Sequence, residues 1–183
     1  MTTLCAAAIA LAAPAAAAAR TIVLQPGQGL TVAGTTLVCT YGGAKGTSGG
    51  LGCRTQNASG PIVGSYSITA AATTVGVYKF TAPTKAKFAF SVNQPDAKPA
   101  PAFIRDYFRI RMVAKASAGD EVALAGTSVV CQVARGAAFA GVLGIRCGLI
   151  SGGRYAIAID QTGVSVHQAG QTTPFWQHKH GAG

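Results

Sequence analysis

The stretch VAGTTLVC at residues 32–39 recurs as LAGTSVVC at residues 124–131. Each copy leads into a glycine-rich loop and a second cysteine, in LGCR at 51–54 and IRCG at 145–148. The correspondence runs on past the cysteines: GSYSI at 64–68 returns as GRYAI at 153–157, and TTVGVY at 73–78 returns as TGVSVH at 162–167. A period near ninety residues is too long for a solenoid repeat and suits two copies of a small β unit. Within each copy, Val- and Thr-rich runs are interrupted by Gly-containing turns, the pattern of short strands and hairpins. The expected fold is therefore all-β, a tandem duplication forming a disulfide-stapled sandwich, with a barrel as the alternative closure.

Residues 1–19, MTTLCAAAIALAAPAAAAA, form an alanine-rich apolar run that ends in small residues before Arg20. That pattern predicts a secretory signal peptide, and it is too short and too poor in Leu, Ile and Phe for a membrane anchor. The processed chain is then expected to carry no transmembrane segment and to be secreted, periplasmic or held at the cell surface. Cys5 precedes the apolar run and receives no role. Cys39, Cys53, Cys131 and Cys147 remain, an even number that in an exported chain argues for two disulfides. The duplication favours Cys39 with Cys53 and Cys131 with Cys147, so that each copy closes its own loop. Neither pair has the short ligand spacing of a structural zinc site.

The expected organisation is a signal peptide at 1–19, a first β repeat at 20–80, a basic amphipathic β ribbon with a Pro-rich loop at 81–115, a second β repeat at 116–168, and a flexible C-terminal tail at 169–183. Only 11% of the 183 residues are charged, yet the net charge is +10. Such a field attracts polyanions of any kind. The charge concentrates between the copies, where Lys79, Lys85, Lys87, Lys98, Arg105, Arg109, Arg111 and Lys115 face only Asp96 and Asp106. In KAKFAFSV, Lys85 and Lys87 share one face of a strand; in IRDYFRIRMV, Arg105, Tyr107, Arg109 and Arg111 share one face while Ile104, Phe108, Ile110 and Met112 share the other. If these strands pair, Lys85, Lys87, Arg105, Tyr107, Arg109 and Arg111 make a cationic ridge. The competing reading is a solvated strand face that blunts an exposed edge.

The expected function is that of a secreted, non-enzymatic β protein whose basic strand face binds an anionic polysaccharide, a cell-wall polymer or another polyanion. Nucleic acid is a poor fit, because Tyr107 alone offers a stacking plane where single-strand binders use several aromatics. A structural or self-assembling extracellular role is the alternative, since sheet edges can pair between chains. A secreted hydrolase is the other: Asp160, Ser165 and His167 lie close in sequence, although no G-x-S-x-G elbow or nucleotide fingerprint accompanies them. Asp120 and Glu121 are adjacent, so in a strand they point to opposite faces and cannot flank one substrate atom. His178 and His180 share one face of an extended segment but are read as an adventitious metal site. No cofactor and no metal centre are expected.

Overall fold

The computed structural model describes residues 18–42, 50–55, 66–71, 75–82, 85–92, 111–135, 142–149, 155–168 and 170–180. They build fourteen strands in two packed sheets, a sandwich not closed into a barrel. The first copy supplies β1 (Thr21–Leu24), β2 (Gln28–Val32), β3 (Leu37–Gly42), β4 (Gly50–Thr55), β5 (Tyr66–Ala71), β6 (Val75–Ala82) and β7 (Lys85–Val92). The second supplies β8 (Arg111–Ala116), β9 (Glu121–Leu124), β10 (Val130–Arg135), β11 (Leu143–Leu149), β12 (Tyr155–Asp160), β13 (Gly163–Gln168) and β14 (Trp176–Lys179). The last strand falls within the segment expected as a flexible tail. It pairs antiparallel with β13, and Trp176 packs against the core.

One sheet has the order β1-β9-β10-β11-β12-β13-β14 and the other β8-β2-β3-β4-β5-β6-β7. Strand for strand the two orders match, except that the first strand of each copy has crossed to the sheet of the other. β1 runs parallel to β9, with Ile22 beside Val122 and Leu24 beside Leu124; β8 runs parallel to β2, with Ala114 beside Leu30 and Ala116 beside Val32. Each sheet is thus completed by a strand from the other copy.

The repeated cassette explains the local geometry. Gly34 and Gly126 hold φ of +70° and +77°, at the third position of tight turns closed by Thr35 N–H to Val32 O (3.2 Å) and Thr127 N–H to Leu124 O (3.1 Å). Only glycine takes that conformation at no steric cost. The threonine after each glycine fastens the turn: its hydroxyl donates to the carbonyl three residues back and accepts from the amide two residues on, Leu37 and Val129 respectively.

Alternate residues then face inward. Leu30, Val32, Leu37, Cys39, Leu51, Cys53, Ile68 and Val77 from the first copy merge with Val122, Leu124, Val129, Cys131, Ile145, Cys147, Ile157, Ile159, Val164 and Val166 from the second in one continuous core. The disulfides Cys39–Cys53 and Cys131–Cys147 lie in that core and bridge directly opposed residues of β3 and β4 and of β10 and β11. Their Cα atoms are 4.1 and 4.0 Å apart, the close approach of facing residues on antiparallel neighbours. Tyr41 adds a bond between copies, its buried phenol donating to Ala125 O at 2.9 Å.

Candidate functional site

Among the described residues, the strand carrying Lys85 and Lys87 is not paired with the one that begins at Arg111. β7, carrying Lys85 and Lys87, and β8, beginning at Arg111, occupy opposite edges of the same seven-stranded sheet. Six interstrand spacings put them about 29 Å apart. Lys87 lies opposite Lys79 in the β6–β7 register, and Lys85 opposite Ala82. Arg111 is exposed. Arg105, Tyr107 and Arg109 lie outside the described residues, as do the side chains of Lys85 and Lys87. Met112, expected on the buried face, is 43% exposed. A register shift in the β2–β8 pairing passes over Val113, so Gly29 faces Met112 and Leu30 faces Ala114. One extra residue reverses the alternation, so Met112 points outward while Ala114 packs against the core and Ala116 lies in it.

The flank formed by β1 and β8 carries the only salt bridge among the described residues. Arg20 Nε donates to Asp120 Oδ2 at 3.1 Å, and Arg20 Nη2 donates to the Lys115 carbonyl. The Asp120 side chain is buried while that of Arg20 is 58% exposed. Asp120 Oδ2 also accepts from Ser117 N–H at 2.8 Å, capping the turn between β8 and β9. Gln28 holds the equivalent place in the first copy, its Oε1 accepting from Gln25 N–H at 2.9 Å. The second copy has thus replaced a neutral cap with a charged one that also captures the residue preceding β1. The Ser117 amide holds the Asp120 carboxyl below its usual range; burial opposes this and Arg20 assists it. Asp120 is buried and Glu121 exposed, pointing to opposite faces as adjacent residues at a strand must.

Asp160, Ser165 and His167 do not assemble into a triad. Ser165 Oγ and His167 Nε2 are 2.9 Å apart, both residues buried on the face of β13 opposite Val164 and Val166. His167 sits beside Ala156 in the register, whereas Asp160 is four residues farther along β12, about 13 Å away. There Asp160 Oδ1 accepts from Thr162 N–H at 2.7 Å, Thr162 Oγ1 at 2.6 Å and Gly163 N–H at 3.0 Å, closing the β12–β13 hairpin. Gly144 lies opposite Asp160, where a Cβ would collide with the Ile159 carbonyl.

The serine–histidine pair has a counterpart in the other copy. Gly76 and Tyr78 stand at the matching positions, and a Cβ on Gly76 would meet the Tyr78 ring at 3.0 Å. In both copies an aromatic ring bends back over a small residue two positions earlier on the same face, and in the second copy the two are also hydrogen-bonded. Burial, and then the Arg146 guanidinium, hold His167 below the usual imidazole range, against the Thr172 and Gln171 backbone, which favours the charged form.

His178 and His180 are engaged separately. The His178 ring lies 5.5 Å from that of Trp176, and His180 Nε2 is 3.1 Å from the Asp160 carbonyl. Burial lowers the His180 pKa while Asp160 opposes that shift. Tyr155 packs against Phe175 with ring centroids 5.8 Å apart, so the link into β14 is seated on the sheet. Among the described residues no three His, Cys, Asp or Glu side chains group as metal ligands, and no helix is long and apolar enough to cross a membrane. No protein family, curated protein or solved structure matches this chain.

Proposed function

We propose that this chain is an exported β-sandwich that acts by binding, without chemistry of its own, and that its ligand is an extended polyanion such as an acidic polysaccharide or cell-wall polymer. The observation that carries the reading is the balance of exposed charge. Arg111, Lys115, Arg135, Arg146 and Lys179 are all exposed, and the whole chain has fifteen bases against five acids. A small anion could not touch both β7 and β8. A polymer longer than about 30 Å could, and long-range attraction would gather it from solution.

The test is elution from a heparin resin in a salt gradient. Replacing Lys85 and Lys87 with Gln, and separately Arg111 and Lys115 with Gln, should each lower the eluting salt, with a larger drop when all four are changed. Unchanged elution of the fourfold variant would remove the proposal.

A further inference from the structure

Both disulfides lie within a copy, Cys39–Cys53 in the first and Cys131–Cys147 in the second. Everything described that joins one copy to the other is noncovalent: β1 on β9, β8 on β2, the common core, the Tyr41–Ala125 bond and the Arg20–Asp120 clamp. The one covalent connection is residues 93–110, which leave β7 at one edge of a sheet and reach β8 at the other, across about 29 Å. That segment contains Pro95, Pro99 and Pro101, and eighteen residues can extend well beyond this span.

We propose that two molecules of this chain assemble by exchanging halves, the first copy of one molecule forming the sandwich with the second copy of another. Every contact between copies is then remade unchanged. What differs is only where the connecting segment leads, back to the same sandwich or on to the next. Reciprocal exchange gives a closed dimer, and one-way exchange gives a string of sandwiches, because the join between first and second copies is head-to-tail from molecule to molecule. The proposal does not depend on the binding of a polyanion.

Val23 and Ala123 provide the probe, since they are partners across β1 and β9 and neighbour the inward-facing Ile22, Leu24, Val122 and Leu124. A Val23→Cys chain and an Ala123→Cys chain are refolded together in high salt, oxidised, and run on a nonreducing gel. Exchange yields a disulfide-linked pair containing one of each chain. With an effective concentration of about 1 mM for the tethered halves, the linked fraction should reach about a tenth at 0.1 mM protein and grow with concentration. Each variant oxidised alone should give no linked pair, because exchange then sets its cysteine beside an unsubstituted partner.

A second arm deletes residues 96–107, so that the seven remaining steps from Val92 to Arg111 reach at most about 25 Å. This chain cannot close on itself and should fold only as a dimer or larger assembly in light scattering. Absence of the mixed linked pair at every concentration, or a folded monomer of the shortened chain, would overturn the proposal.

Discussion

At Asp120 a single carboxylate serves two parts of the fold, capping the β8–β9 turn and holding Arg20 beside β1. Its pKa is depressed in the folded chain, so the unfolded chain takes up a proton more readily. The stabilisation is therefore complete above the unfolded value near 3.8 and is lost as pH falls through the folded one. Asp120→Asn keeps the shape but loses the charge-assisted part of three hydrogen bonds, and should cost about 1 kcal/mol near neutral pH, or about 3 °C in Tm. Its deficit should shrink as pH falls below the unfolded value and go on shrinking with further acid; a Tm difference that does not change with pH would refute the assignment. The exposed Arg20 guanidinium adds little, because solvent screens it. SAGD at 117–120 reads locally as a turn, and that much was legible. The partner one hundred residues away was not, because nothing in a turn sequence says which distant side chain will lie beside it.

Among the elements, the disulfide-bridged hairpins β3–β4 and β10–β11 were the most legible, since duplication alone picks their pairing from the three connectivities four cysteines allow. Each bridge closes a loop near fifteen residues, so replacing Cys131 and Cys147 with Ala should lower stability by about 3 kcal/mol, with a like loss for Cys39 and Cys53. Chemical denaturation measures it, and a loss under 1 kcal/mol would mean the bridge constrains little. The basic strands were legible only in part. Period-two alternation assigns side chains to faces and says nothing about which strand lies alongside, so Lys87 and Arg111 could be given faces but not neighbours. The shift past Val113 was hidden for the same reason, as a bulge is one residue with no compositional mark.

For the molecule as a whole, each sheet holds a strand from the other copy and the core is continuous. Neither half can unfold while leaving the other complete. Calorimetry should give one transition with equal calorimetric and van't Hoff enthalpies, and two resolved peaks would contradict the shared core. The sandwich and the duplication could be read from the chain, but the crossing of β1 and β8 could not: TIVL suits an edge strand in either sheet. The matching turns differ at one telling place, where Asp120 stands for Gln28 and holds Arg20 as well as the turn.

The placement of β1 also sets a timetable. A polypeptide delivered from its amino end presents Ile22 and Leu24 long before Val122 and Leu124 have been synthesised, and those are the residues they lie against. A strand made early is thus among the latest to find its seat, a long wait of the kind that slows maturation. Meanwhile its greasy side chains are available to any passing holdase, or to a protease.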